Sequence, residues 1–159
     1  MAVVGVGQTL KGDDAAGVLV AQVLVKRQRA GSSDAPRPAP FSLLVVEAAH
    51  APENCTGAIR RFAPDLVVLV DAAEMGDPPG TIRWLDWRDT AGLDVSTHTL
   101  SPSMVARYLV AELRCEVALI GIQPQDTSLG APVSPPVRRA VRTVADGLSA
   151  ILLAPRPDP

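Results

Sequence analysis

The chain is poor in aromatic residues, which make up 3% of its 159 positions, so any core it forms must be built from Val, Leu, Ile and Ala. A hydrophobic fraction of 47% supplies enough of these to cover both faces of a sheet in one domain spanning 1–159. Only two cysteines occur, Cys55 and Cys115, far apart and without a Cys-x-x-Cys pair. That argues against zinc held by thiolates and for reduced thiols in a cytoplasmic protein. Neither cysteine shows a paired histidine, and both read as buried or inert. Positive charge is not in excess: the formal net charge is −2 and Lys and Arg are scattered, which leaves no basic face for nucleic acid. Apolar runs such as Leu66–Val70 and Ala150–Ala154 fall far below the ~20 residues that cross a bilayer. No basic segment and long apolar stretch open the chain, so no signal peptide is expected. Gly-x-Ser-x-Gly and His-Glu-x-x-His are both missing, which excludes two familiar hydrolase designs.

What is present is an alternation of strand and helix patterns. Ala2–Val6 reads as a first strand, followed by a glycine loop and a helix from Ala15 to about Arg29. Residues 30–40 are polar and proline-rich and read as a connection rather than a domain boundary. Phe41–Val46 is expected to be a strand, Pro52–Phe62 a short helix, and Leu66–Val70 a strand buried on both faces. Thr81–Leu85 is a fourth strand after the turn at Gly76–Gly80, and Val117–Ile122 a fifth. Ser101-Pro102 and Ser134-Pro135 each resemble a helix cap followed by proline at the first helical position. The first of these helices should bury Val105, Tyr108, Leu109 and Leu113, the second Val137, Val141, Val144, Leu148 and Ile151. The pattern predicts an α/β fold: a three-layer sandwich with a twisted, mostly parallel five-stranded sheet and helices on both faces.

In such sheets ligands collect at the carboxyl ends of the strands. The first loop, Gly5-Val6-Gly7-Gln8-Thr9-Leu10-Lys11-Gly12-Asp13-Asp14, begins like a dinucleotide site. Leu10 stands where the third glycine would be, and two carboxylates lie where phosphate charge would sit. They would repel a phosphate and attract a cation, although one Asp could serve only as a helix cap. Glu47 follows the second strand, Asp71 ends the third, and His98 stands just before a capped helix. A carboxylate after the first strand (Asp13 or Asp14), Asp71 and an imidazole, His98 or the His50 that stands three residues beyond Glu47, make an oxygen/nitrogen set for a divalent transition metal with positions left open. Asp13 and Glu47 are accessory candidates. Taken singly, Asp71 could cap a turn, either histidine could be structural, and Glu47 could be a solvated strand end.

An ordered set of motifs then stands out: Gly5-x-Gly7-x-x-Leu10-x-Gly12-Asp13-Asp14-x-x-Gly17, Ala51-Pro52-Glu53-Asn54, Val70-Asp71-Ala72, Met75-Gly76 with Pro79-Gly80, Ser96-Thr97-His98 and Gly121-Ile122-Gln123-Pro124. Across about residues 2–148 the chain resembles the hydrogenase maturation endopeptidases, in the branch that processes formate-hydrogenlyase-type hydrogenases. The resemblance implies an endopeptidase that trims a C-terminal extension from the precursor of a nickel-iron hydrogenase large subunit. It implies that the nickel arrives with that precursor, and that Asp14, Asp71 and His98 contact it. An empty site could hold another divalent cation instead. By position and resemblance, the loop from Gln123 to Val133 would shape the peptide groove. Two departures stand beside the match. Gln8 occupies a position where the family usually has Asn, and Glu47-Ala48-Ala49 replaces Asp-Gly-Gly, removing backbone freedom. That turn suggests the alternative of a non-catalytic nickel- or precursor-binding factor; a phosphorylase- or nucleosidase-like hydrolase is a third reading, opposed by the acidic loop.

Overall fold

The computed structural model describes residues 1–31, 42–49, 52–88 and 102–153. Five strands form one sheet: β1 (Ala2–Val6), β2 (Leu44–Ala49), β3 (Leu66–Ala72), β4 (Ile82–Leu85) and β5 (Glu116–Ile122), in the order β2-β1-β3-β5-β4. All neighbours run parallel except β4, which pairs antiparallel with β5 through Ile82–Ile122 and Leu85–Leu119. Among the described residues four α-helices complete the architecture: α1 (Ala16–Gly31), α2 (Thr56–Phe62), α3 (Pro102–Leu113) and α4 (Pro135–Leu153).

The layers follow from side-chain alternation along the strands. Val3, Val68, Val70, Ile120 and Ile122 face Ala16, Val20 and Leu24 of α1 and Val137, Val141 and Val144 of α4. The opposite face carries Val4, Val67, Leu69 and Leu119 against Ile59 of α2 and Val105 and Leu109 of α3. This is the expected three-layer α/β sandwich, with β1, β3 and β5 innermost. Both cysteines belong to the second core; burial pushes the Cys115 thiol above its ordinary range. Among the described residues no helix is long and apolar enough to cross a membrane.

Four expectations are corrected. The second strand runs Leu44–Ala49, three residues later than its apolar stretch suggests, so Glu47 lies inside it. An edge strand tolerates a charged side chain turned to solvent, and Glu47 is exposed. Tyr108 is exposed rather than buried, because its hydroxyl accepts a hydrogen bond from the Arg60 guanidinium at 2.6 Å. Ile151, in the last turn of α4, is also exposed, beyond the contact with the sheet. Ser134 does not cap α4 with its hydroxyl, which has no partner among the described residues.

α1 lies directly on β1 and β3 because glycines meet there. A Cβ on Gly17 would come within 2.0 Å of the Val70 carbonyl oxygen and 2.4 Å of that of Val6. Only glycine allows this approach, which sets the start of α1 against the ends of both strands.

Candidate active site

β1 connects to β2 on one side of itself, and the chain then returns to place β3 on the other. The carboxyl ends of β1 and β3 therefore flank the point where strand order reverses, the usual position of a ligand crevice in an open α/β sheet. Asp14 follows β1 and Asp71 is the second-to-last residue of β3. Both are buried, with 4% and 0% of their surface exposed.

The chain reaches Asp14 through a tight loop. Gly7 takes φ +133°, and a Cβ there would meet the Asp14 carbonyl oxygen at 1.8 Å, so the loop can fold back on itself only with glycine. Gly12–Ala15 form a 3-10 turn leading into α1. Asp14 Oδ2 accepts the Gln8 amide at 2.8 Å, closing the loop from within. In a dinucleotide fold that amide would face phosphate; here a carboxylate takes it.

Asp13 and Asp14, adjacent in sequence, have different tasks. Asp13 Oδ2 accepts the amides of Gln125 and Asp126 at 2.8 and 3.1 Å, and its Oδ1 accepts that of Ser134 at 2.6 Å. Its own amide donates to the Asp126 carbonyl at 2.9 Å. Asp13 thus fastens the loop after β5 to the loop after β1. Neither aspartate is the cap of the turn that contains them; Lys11 takes that position, with no capping bond from its side chain.

Alternation along β3 places Asp71 on the same face as Val67 and Leu69. Its Oδ1 accepts the neighbouring Ala72 amide at 2.9 Å, while its buried Oδ2 has no hydrogen-bond partner among the described residues. Burial, followed by the negative charge of Asp14, holds the Asp71 carboxyl well above the usual carboxylate range; the Ala72 amide opposes this. Two carboxylates near enough to repel, one with an orphaned oxygen, make an arrangement that a cation would relieve.

The other candidates lie elsewhere. Glu47 accepts a hydrogen bond from Gln22 of α1 at 3.0 Å on the exposed flank of the sheet. Among the described residues no three His, Cys, Asp or Glu come together as a metal-holding group, so neither Asp13 nor Glu47 completes such a set with Asp14 and Asp71. His98 and His50 lie outside the described residues.

Gln123 is buried and braces the loop that follows β3. Its Oε1 accepts the Met75 and Asp77 amides at 2.7 and 3.2 Å, and its Nε2 donates to Glu74 at 2.6 Å. Its backbone bonds both Gly80 and Thr81. The bracing roles of Asp13 and Gln123 were not legible in the sequence, because each depends on partners far along the chain.

Comparison with known proteins gives the family and the fold. Residues 28–151 match the family model of the HycI hydrogenase maturation proteases. The Hydrogenase 3 maturation protease of Escherichia coli K12 is 34% identical over 142 residues, covering 87% of this chain and 82% of that protein. The crystal structure of a NiFe hydrogenase maturation protease HycI from Thermococcus kodakarensis KOD1 superposes with a TM-score of 0.82. It shares 33% identity, with 96% of this chain and 92% of that one covered. The solution structure of the endopeptidase HycI from Escherichia coli gives a TM-score of 0.73 at 33% identity, covering 94% and 88%.

Proposed function

Because the chain belongs to the hydrogenase maturation protease family and is a peptidase, we propose that it removes the C-terminal extension of a nickel-iron hydrogenase large-subunit precursor after nickel insertion. Asp14, Asp71 and His98 would recognise the nickel held by that precursor. The observation that carries this reading is the pairing of two buried carboxylates at the switch point, with Asp71 Oδ2 unpartnered among the described residues.

The donor chemistry suits the task. Asp14 and Asp71 offer oxygen ligands and His98 a nitrogen ligand, a set that an ion already bound to substrate thiolates can accept as additional ligands. Asp14 is fixed by the Gln8 amide, and Asp71 by the central strand, so neither has to be ordered when substrate arrives. Contact with the ion then positions the adjoining peptide bond for hydrolysis, and a precursor without nickel lacks the anchor. The non-catalytic alternative drew on the lost glycines of Glu47-Ala48-Ala49. Ala49 nevertheless adopts φ +47°, the backbone conformation a glycine would have supplied.

The test is incubation of the protein with nickel-loaded and nickel-free precursor, followed by electrophoresis. Shortening of the loaded form alone is expected. Equal trimming of both forms would overturn nickel recognition, and binding without trimming would favour the non-catalytic reading. Replacing His98 by Ala should abolish recognition while leaving the melting curve unchanged. His98→Ala trimming the loaded precursor at the wild-type rate would remove that residue from the site.

A further inference from the structure

Leu129 and Leu10 have 76% and 66% of their surface open to solvent, the two highest values among the large apolar side chains of the described residues, with Trp84 of β4 next at 64%. They lie far apart in sequence, one in the loop after β1 and the other in the loop after β5, yet the Gly130 amide donates to the Leu10 carbonyl at 2.8 Å. That bond brings the backbones bearing the two side chains together. Neither loop is loosely attached. Asp13 ties them through three amides, the Ser128 amide bonds Asp126 Oδ1 at 2.8 Å, and the Ala131 amide bonds the Ser128 carbonyl at 3.1 Å. A fully buried aspartate therefore helps hold two leucines in water, where they contribute nothing to the core.

Leu10 belongs to the segment from Gln8 to Asp14, and the bond from the Gln8 amide to Asp14 Oδ2 closes that segment. The carboxylate assigned to the substrate's metal and the exposed leucine are thus carried by the same small loop. A polypeptide held at Asp14 would therefore lie beside the loop that carries Leu10. We propose that Leu10 and Leu129 form a docking platform for an apolar segment of the precursor polypeptide, next to the part that engages Asp14 and Asp71. The inference rests on the protease reading above and adds a second recognition element, one that reads apolar side chains rather than metal. A rigid platform suits this work because little ordering is left to be done on binding.

Leu10→Ser, Leu129→Ser and the double variant test the proposal on full-length protein with nickel-loaded precursor, with Ile151→Ser as a control. Ile151 is exposed at the far end of α4 and stands for loss of surface apolarity alone. The double variant should raise KM about 10- to 100-fold with kcat unchanged, as expected when two apolar side chains lose burial on binding. Each single variant should lie between, and Ile151→Ser should match wild type. Leu10→Met with Leu129→Met should restore KM to within a few-fold, because methionine keeps the apolar volume. Melting curves should be unchanged throughout, both side chains being exposed. A double variant with wild-type KM would overturn the platform while leaving the protease reading intact, as would a fall in kcat at constant KM. Failure of the wild-type protein to trim or bind the precursor would overturn the protease reading and the platform with it.

Discussion

At the residue scale, Asp13 and Asp14 show how neighbouring carboxylates acquire separate roles from their surroundings. Asp13 satisfies three backbone amides, and its replacement by Ala would leave those donors without acceptors. Leaving buried donors unpaired costs about 1–3 kcal/mol each, although neighbouring losses do not add. Asp13→Ala should therefore destabilise by roughly 2–5 kcal/mol, read as a lower urea midpoint, with activity lost through folding. A wild-type midpoint would show that those bonds do not hold the loops. Asp71 should behave in the opposite way. Its native pKa is raised, so the folded state binds a proton more tightly than the unfolded chain. The stability this confers is fully present below the ordinary carboxylate value and is lost as pH rises through the native one. Asp71→Asn removes the ionising group while preserving shape, so it should melt higher than wild type at pH 8 and close to wild type near pH 4. Trimming should fall by about 10²-fold or more, as expected when a positioning contact is lost. Lower melting at pH 8 would show that the carboxylate stabilises the fold; wild-type trimming would remove Asp71 from the site.

At the element scale, the strands and helices were legible wherever a single local pattern decided them. Leu66–Val70 is uniformly apolar and lies in the central strand, and Pro102 and Pro135 open α3 and α4 as the first helical residues. Patterns failed where the deciding partner was remote. The end of β2 is set by pairing with β1, whose register slips between Gly5 and Val6 so that Glu47 and Ala49, but not Ala48, find partners. No local apolar count could place that bulge. The fastening of the β5 loop by Asp13 joins residues more than a hundred positions apart, and likewise left no local signature. The pairing of Asp14 with Asp71 was readable because strand ends at a switch point are favoured ligand positions whatever the details. The bulge carries its own prediction. Ala49 sits at φ +47°, held by the Gly7 amide on its carbonyl at 2.8 Å, in a region that disfavours a Cβ. Ala49→Gly should stabilise by about 0.5–1 kcal/mol, measured by urea unfolding. A lower midpoint would mean that the entropy glycine adds to the unfolded chain outweighs the relieved strain. Leu69→Ala, fully buried in β3, should instead cost roughly 2–5 kcal/mol.

At the scale of the whole molecule, the proposed ligands come from separate segments of the chain rather than from one ligand-bearing helix. Asp14 belongs to the turn before α1, Asp71 to the central strand, and His98 to the stretch before α3. Such an arrangement is suited to meeting an ion delivered in a partner's coordination shell, since few resident ligands leave much of the shell for the substrate. The free protein should accordingly hold nickel weakly. For a ligand that binds only the folded state, the gain in stability is RT ln(1 + [L]/Kd), or about 0.4 kcal/mol when the concentration equals Kd. With a Kd near ~1 mM, nickel at ~1 mM should raise the melting temperature by only about 1–2 °C for a domain of this size. The shift should disappear in Asp71→Asn, and chelator should leave the wild-type melting curve unaltered. The checking measurement is a set of thermal melts with nickel, zinc or EDTA, together with metal analysis of the purified protein. Stoichiometric zinc that survives EDTA, with a large fall in melting temperature once it is stripped under harsher conditions, would identify an ordinary metalloprotease with its own ion. In that outcome the two carboxylates would hold a resident metal, and the substrate's nickel would no longer be needed to explain their pairing.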